Sequence, residues 1–225
     1  MVVGPASDPR LVSADAVVVA TPAAPSAKLL AGVAPDAALE LASIQYASMA
    51  VITLAFPAAA FPDVTGSGFL VPPVDGRQVK AATYSFQKWD WVREASQELV
   101  VLRTSIGRHR EEHQLQVADE ELVERSLTDL QAAVGLAARP VDWHVQRWGG
   151  GLPQYAVGHL DRVGRIRQAV AAVPGLAVCG AAYDGLGIPA CIASAELAAR
   201  QVLDQLPAVD HPEAGPLGRP RRMDP

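Results

Sequence analysis

The feature that most constrains the fold is a succession of three segments near the end of the chain. Leu176 to Cys179 has the composition of a strand buried on both faces, as in a parallel sheet. Gly180 to Ile188 is a loop with three glycines, and Pro189 to Leu206 is an alanine-rich helix with proline in its first turn. A strand, a glycine loop and a helix N-terminus in this order predict a site for an anion or a dinucleotide.

The loop glycines are Gly180, Gly185 and Gly187, which do not have the G-x-G-x-x-G spacing of a dinucleotide fingerprint. An ordinary connecting loop therefore stays open as the alternative. A second strand-like segment, Ala14 to Ala20, is rich in valine and stops at Thr21-Pro22. It also has the pattern of a buried parallel strand. We expect it to lie beside the strand that precedes the glycine loop.

The middle of the chain has a different pattern, in which several apolar runs follow one another without a helical segment between them. Such grouping favours a mostly antiparallel sheet. A strand-like run from Val141 to Trp148 follows later, whereas Gly149 to Tyr155 is too rich in glycine for a regular element. The grouped segments are Ser48 to Phe56, the turn and short strand at Gly66 to Pro73, Val79 to Ser85, and Glu98 to Ile106.

Helical spacing appears in three further places. Residues 37–42 are predicted to be helical. Asp119 is predicted to cap a helix that ends at Gly135. Asp161 is predicted to cap another, which stops at Pro174-Gly175. The apolar face of the Asp119 helix carries Val123, Leu127, Leu130 and Val134.

Composition excludes several classes of protein. Half of the residues are apolar and the net charge is -5, with no Lys/Arg cluster before the last few residues, which argues against a nucleic-acid partner. Cys179 and Cys191 form neither a C-x-x-C pair nor a set with histidine at metal-ligand spacing. We therefore expect no disulfide and no metal, and we expect a reducing compartment, the cytoplasm.

No targeting or membrane-spanning segment is expected. The N-terminal residues have neither a positive nor an apolar region of signal-peptide type. The most apolar stretch, Met49 to Phe61, is interrupted by Pro57 and is shorter than the roughly 20 residues of a spanning helix. Peripheral membrane contact stays open. Pro207 to Pro225 is rich in proline and charge and is predicted to be a disordered tail.

The sequence contains no recognisable apparatus for acid–base or nucleophilic catalysis. His109 and His113 have helical metal-site spacing, but they lie in a charged, solvated stretch. G-x-S-x-G and P-loop motifs are absent. A chain of this kind fits a protein that leaves the difficult chemistry to a redox cofactor.

Four segments together resemble one family. In order and spacing they are similar to the C-terminal half of the protoporphyrinogen and coproporphyrinogen oxidases, which are flavin-dependent members of the amine-oxidase-like family. The resemblance covers nearly everything from Val12 to Leu206. The segments are Asp15 to Pro22, Gly66 to Pro72 with Tyr84 to Trp89, Arg147 to His159, and Gly180 to Pro189.

The resemblance implies an α/β (α+β) fold that is part of a two-domain FAD-dependent oxidoreductase. One domain is a partial Rossmann-like FAD domain, and the other is a substrate domain of mostly antiparallel sheet and helices. On that pattern residues 1–30 and 174–206 belong to the FAD domain, 31–173 to the substrate domain, and 207–225 to the tail. The family's G-x-G-x-x-G segment lies upstream and is not among these residues, so we expect a missing N-terminal half.

The resemblance also implies site residues. Tyr155 and His159 match the family motif with no role beyond holding the loop, and no catalytic residue is implied. Residues matching contacts to the cofactor FAD are Trp148, Leu186, Gly187 and Ile188. Leu70 and Trp89 match positions facing the porphyrinogen, and we expect Lys88, the neighbour of Trp89, to meet a propionate.

The implied function is FAD-dependent oxidation of a porphyrinogen to the porphyrin in haem biosynthesis, with O2 as acceptor. Coproporphyrinogen III is the preferred substrate, and protoporphyrinogen IX is the other. Two alternatives stay open: another enzyme of the superfamily, such as an amine oxidase or a carotenoid desaturase, and a catalytically inactive fragment.

Overall fold

The computed structural model describes residues 1–5, 7–96 and 98–206. The tail predicted at 207–225 lies outside the described residues. The chain divides into two compact units, of which unit 1 comprises Met1–Ser43 with the residues from Gly158 onward, and unit 2 comprises Ile44–Val157. The domain limits expected near residues 30 and 173 stay a prediction, and each unit is described by itself.

Helices and strands alternate irregularly along the described chain, and the predicted mixture of helix and sheet is confirmed. The strands are β1 (Val2–Val3), β2 (Arg10–Leu11), β3 (Val17–Val19), β4 (Tyr46–Pro57), β5 (Gly68–Leu70), β6 (Val79–Thr83), β7 (Leu99–Ile106), β8 (Asp142–Pro153) and β9 (Leu176–Val178). The α-helices are α1 (Ala23–Leu30), α2 (Pro35–Ala42), α3 (Ser85–Lys88), α4 (Asp90–Ala95), α5 (Asp119–Val134), α6 (His159–Ala171) and α7 (Ile188–Leu203).

Unit 1 contains the parallel strand pair that the sequence predicted. β3 and β9 pair in parallel, with Val17 opposite Leu176 and Val19 opposite Val178. All three residues of β9 are buried, as expected from its continuous apolar composition. The expectation of a buried strand is wrong for β3 in the described chain, where Val19 is buried but Val18 is 40% exposed. Helix α7 follows β9, and its Ala198 packs with β9 in the core of this unit.

The helices of unit 1 bury one face each. In α6 the buried residues include Val163, Ile166 and Val170, at the spacing of one helical face. The prediction that Asp161 caps α6 is wrong, because the helix begins at His159 after Gly158, whose φ is 80°. Asp161 lies in the first turn, where a carboxylate is also favourable beside the positive end of the helix dipole.

Unit 2 is a five-stranded sheet in the order β5-β6-β7-β4-β8, with every neighbouring pair antiparallel. The predicted antiparallel sheet is confirmed. The expectation of no helix between its strands is wrong, because α3 and α4 connect β6 to β7. These helices have only 4 and 6 residues, too few to produce an apolar periodicity.

Helix α5 covers one face of this sheet. It begins at Asp119 without a side-chain cap, so the predicted cap is not formed, and it ends as predicted at Gly135, whose φ is 73°. The carboxylate of the buried Asp129 accepts a hydrogen bond of 2.8 Å from the Val79 amide of β6. The core between α5 and the sheet includes Ile52, Leu54, Phe56, Leu102, Ile106, Leu122, Val123, Leu127 and Leu130.

Strand β8 continues through Gly149 to Gly151, which contradicts the expectation that this segment is irregular. β8 follows β4 across a change of register between Ala47 and Met49. At that bulge the Gly150 amide donates to Ser48 Oγ at 3.0 Å. Pairing with a long neighbouring strand therefore outweighs the low strand propensity of glycine. The pairing of β4 with β8 also brings the beginning of β4 beside the end of β8, where Tyr46 lies opposite Pro153.

Candidate functional site

The glycine loop of unit 1 starts where β9 ends, at the carboxyl end of the parallel pair. Open α/β sheets bind ligands at this edge. The Cys179 amide donates to the Val19 carbonyl at 3.1 Å, and the Gly180 amide donates to Ser194 Oγ of α7 at 3.2 Å. The loop therefore leaves the strand pair in a fixed direction.

The loop glycines differ in what they require. Gly180 and Gly185 have φ values of 121° and 146°, which side chains other than hydrogen rarely permit. Gly187 has a φ of -68°, and a Cβ built on it would meet only Pro189 Cδ, at 3.9 Å. Its lack of a side chain is therefore not needed by the fold of the described residues.

Helix α6 holds the glycine loop at two points. His159 is buried, and its Nε2 lies 2.9 Å from the Tyr183 carbonyl oxygen. Because a carbonyl oxygen only accepts, Nε2 donates. Two turns further along α6, both terminal nitrogens of Arg167 bind the two carboxylate oxygens of Asp184, and the guanidinium lies 6.0 Å from the centre of the Tyr183 ring. His159 thus has the loop-holding contact that the sequence implied.

The beginning of α7 presents free backbone donors. The first N–H groups of a helix have no intrahelical acceptor, and those of Gly187 and Ile188 have none elsewhere among the described residues. The side chains of Leu186 and Ile188 are 50% and 77% exposed. Amide donors, the positive helix end, apolar side chains and the empty space at Gly187 together fit a flavin ring with its partial negative charge.

Unit 2 presents a second candidate surface, the face of its sheet opposite α5, which we call the second face. Along β4, Ile52 and Leu54 point into the core, so Val51 and Thr53 point to the second face. Residues paired directly across neighbouring strands lie on the same face of a sheet, so the strand register shows which residues of the other four strands also point to the second face.

One row of the second face crosses all five strands and is polar. Its residues, opposite one another from β5 to β8, are Gly68, Thr83, Arg103, Thr53 and His144. The adjacent row has mostly small side chains and consists of Leu70, Ala81, Ser105, Val51 and Gln146.

The structure brings the predicted substrate residues to this face. Leu70 is on the edge strand β5 and is 83% exposed. Trp89 lies with its ring centre 5.6 Å from the Arg103 guanidinium and 4.9 Å from Lys88 Nζ, within the range of cation–π contacts. Trp148 lies opposite Met49 on the other edge strand, β8, and points to the same face.

The predicted flavin contacts are divided between the two units. Trp148 belongs to unit 2, whereas Leu186, Gly187 and Ile188 belong to unit 1. Leu70 and Trp148 are at opposite edges of the sheet, separated by four strand spacings or about 19 Å. Cofactor and substrate roles for all of these residues stay predictions.

One lysine near the second face is electrostatically perturbed. Lys80 Nζ donates to the Gly107 carbonyl oxygen at 2.8 Å and lies 4.0 Å from Met49 Sδ. Burial, with a further contribution from the Arg108 guanidinium, lowers the pKa of Lys80 below its usual range. Its hydrogen bond inside unit 2 gives it a structural role.

A large concave surface of unit 1 lies elsewhere, between α2 and α6. It has a volume of about 850 Å³, and its lining includes Glu40, Arg162 and Arg165. Hydrogen bonding to Arg165 lowers the pKa of the Glu40 carboxyl. None of the predicted site residues lies there, and its Glu40 forms ion pairs with Arg162 and Arg165.

Sequence reasoning missed Arg103. The one signal in the sequence is that Arg103 is a single charged residue within the mostly apolar run of β7. On its face of the strand it lies between Val101 and Ser105. Its neighbours across the sheet become known only from the strand register.

No helix among the described residues combines the length and the apolar composition needed to cross a lipid bilayer.

Comparison with known proteins identifies relatives over nearly the whole described chain. The family model for flavin containing amine oxidoreductases matches residues 3–203. The coproporphyrinogen III oxidase of Mycobacterium tuberculosis is 39% identical over 196 residues, covering 87% of this chain and 42% of the relative. The protoporphyrinogen oxidase of Macaca fascicularis is 31% identical over 199 residues, covering 86% of this chain and 41% of the relative.

A solved structure agrees with these relatives. The crystal structure of a protein from Exiguobacterium sp. 255-15, assigned as a protoporphyrinogen oxidase, superposes with a TM-score of 0.74 at 32% identity. The match covers 91% of this chain and 44% of that chain. The predicted fold class is confirmed by this likeness, and the chain spans about two fifths of the length of the curated relatives it matches.

Proposed function

Because this chain belongs to the family of flavin-containing amine oxidoreductases, we propose that its protein oxidises a porphyrinogen to the porphyrin in haem biosynthesis, with FAD as cofactor and O2 as acceptor. Coproporphyrinogen III is the preferred substrate and protoporphyrinogen IX the other. The observation that carries the proposal is the glycine loop at the carboxyl end of the β3–β9 pair, which α6 fixes through His159 and Arg167.

In this proposal the loop and the start of α7 hold the isoalloxazine end of the cofactor. The N–H groups of Gly187 and Ile188 would donate to it, and the exposed side chains of Leu186 and Ile188 would cover it and exclude water. Trp148 is also proposed as an aromatic contact of the cofactor, because the family resemblance implies it.

When bound, FAD would accept hydride equivalents from the porphyrinogen and deliver electrons to O2. The positive end of α7 would favour the negatively charged reduced state of such a group. The loop contributes backbone donors and apolar surface, and its one carboxylate, Asp184, is paired with Arg167. The part of the loop is therefore to bind, orient and keep the site dry.

The second face of the unit 2 sheet is the proposed surface for the macrocycle. A porphyrinogen is broad and mostly apolar, which suits the aliphatic and aromatic side chains of Leu70 and Trp89. Lys88, exposed beside the Trp89 ring, would meet a propionate. The proposed compartment is the cytoplasm, in which the unpaired thiols of Cys179 and Cys191 stay reduced.

The test is to extend the chain at its N-terminus with the segment of the Mycobacterium tuberculosis relative that it does not span, and to purify the product. We expect a yellow protein that converts coproporphyrinogen III to coproporphyrin III in the presence of O2. Oxidation of protoporphyrinogen IX should be slower at equal concentration.

Two results would contradict the proposal. A folded extended protein that retains no flavin would remove the cofactor assignment. A yellow protein that oxidises an amine or desaturates a carotenoid, and leaves both porphyrinogens unchanged, would place the chain in another branch of the family.

A further inference from the structure

Arg103 differs from most arginines of the structure in having no anionic partner. Ten arginines among the described residues form an ion pair with an aspartate or a glutamate. Arg108 instead donates to two backbone carbonyls. Arg103, in the middle of the sheet on the second face, has neither kind of contact with a described residue, and its guanidinium lies by the Trp89 ring.

The contact with Trp89 holds the guanidinium without using its hydrogen-bonding capacity. A cation–π contact depends on the electron-rich face of the ring, so the five N–H donors of arginine stay available. Arg103 is exposed on its strand. It can therefore bind a planar anion such as a carboxylate through two parallel hydrogen bonds.

A second positive charge lies by the same ring. Lys88 Nζ is 4.9 Å from the centre of Trp89, and Lys88 also forms no ion pair with a described residue. Two like charges around one indole repel each other, and an anion beside them offsets that repulsion. The cluster is therefore complementary to a negatively charged ligand.

The surroundings of Arg103 favour a broad, flat ligand. Its cross-strand neighbours are Thr83 and Thr53, and the next row contributes Ala81 and Ser105. These side chains are short, so the surface of the sheet beside Arg103 is flat. The larger side chains of Trp89 and Leu70 lie at the margin of this flat surface.

We propose that Arg103 is a specificity-determining residue that binds a peripheral carboxylate of the tetrapyrrole, with Trp89 positioning its guanidinium. This assignment rests on the proposed function and extends it. Coproporphyrinogen carries four propionates and protoporphyrinogen two, so a cation on this flat surface, in addition to Lys88 at its margin, favours the more highly carboxylated substrate.

The test uses the 225-residue chain and coproporphyrin III, the stable oxidised form of the proposed substrate. Binding is measured by quenching of tryptophan fluorescence. Arg103→Gln should weaken binding about 10- to 100-fold, the effect of losing one charge-assisted contact, and Arg103→Lys should recover part of the loss. Porphyrin tetramethyl ester, which lacks carboxylates, should bind wild type and Arg103→Gln equally.

The matched control is Arg110→Gln, which removes the same charge from an exposed arginine of unit 2 outside the sheet. It should leave the affinity unchanged, and circular dichroism should show that all variants fold alike. Equal affinities of wild type and Arg103→Gln, an equal loss in Arg110→Gln, or no binding by wild type would each overturn the proposal.

Failure of the proposed function gives a different result. Absence of flavin-dependent oxidation in the extended protein, together with porphyrin binding that depends on Arg103, would refute the oxidase activity and support the carboxylate site.

Discussion

Replacing Gly187 tests separately the stability of the cofactor-free chain and its affinity for FAD. Its φ of -68° and ψ of 147° are allowed to any residue, and the nearest atom to an added Cβ is Pro189 Cδ at 3.9 Å. Alanine restricts the unfolded chain more than glycine does, which favours Gly187→Ala by about 0.4–1 kcal/mol. Gly187 is also the N-cap of α7, where alanine is less favourable than glycine. The two effects oppose each other, so Gly187→Ala should change the stability of the cofactor-free chain by less than about 1 kcal/mol.

Flavin binding should change by more than the stability does. If the ring lies against Gly187, an added methyl group overpacks the contact by about 1–3 kcal/mol, which weakens binding about 5- to 150-fold. Gly187→Val should weaken it further, because its side chain is larger and branched.

The assay has two parts. Urea unfolding followed by circular dichroism gives the stability of the cofactor-free chain, and titration of the extended protein with FAD gives the affinity. Gly32→Ala is the control, because nothing lies within 4 Å of its added Cβ and it is outside the loop. Unchanged FAD affinity in both Gly187 variants would refute the assignment of the loop to the cofactor. A loss of stability above about 2 kcal/mol in Gly187→Ala would contradict the open geometry at this position.

Three further predictions concern the described contacts. Asp184→Asn breaks the ion pair with Arg167 of α6 and should speed amide hydrogen exchange in the glycine loop. Arg165→Lys, also on α6, should not change this exchange, and equal exchange rates of the loop amides in the two variants would contradict the anchoring role. Because its pKa in the folded chain is below the usual 4.5, Glu40 contributes stability that is present above about pH 4.5 and lost as pH falls through the lowered value. Wild type should therefore lose more stability than Glu40→Gln between pH 6 and 3 in urea titrations. Gly68→Ala should destabilise unit 2 by more than about 2 kcal/mol, since its Cβ would lie 2.1 Å from a carbonyl oxygen of β6; an unchanged unfolding midpoint would contradict this.

The sequence predicted those parts of the fold that depend on local composition. The valine run at β3 and the apolar run at β9 identified both parallel strands, and Gly135 identified the end of α5. The strand through Gly149 to Gly151 could not be predicted, because it exists through pairing with β4, which is distant in sequence.

The candidate site could be predicted only in part, for the same reason. The glycine loop is contiguous, so its residues are visible in one segment of sequence. The environment of Arg103 comes from four other strands and from Trp89, and no local pattern contains it. Shape and charge on a sheet face depend on register, which a single sequence does not specify.

The pairing of Tyr46 with Pro153 has a consequence for the order of folding. Val17 of β3 and its partner Leu176 of β9 are 159 positions apart in sequence, so their pairing closes a very large loop. Once β4 and β8 have paired, Tyr46 and Pro153 are neighbours, and the loop that the β3–β9 pair must close is reduced to the segments 20–45 and 154–175. The pairing of β3 with β9 then closes a loop of about one third of its original length, at a lower entropic cost. During refolding, pulse-labelled amides of β4 and β8 should therefore become protected before those of β3 and β9, and a variant that unfolds unit 2 should also separate the parallel pair.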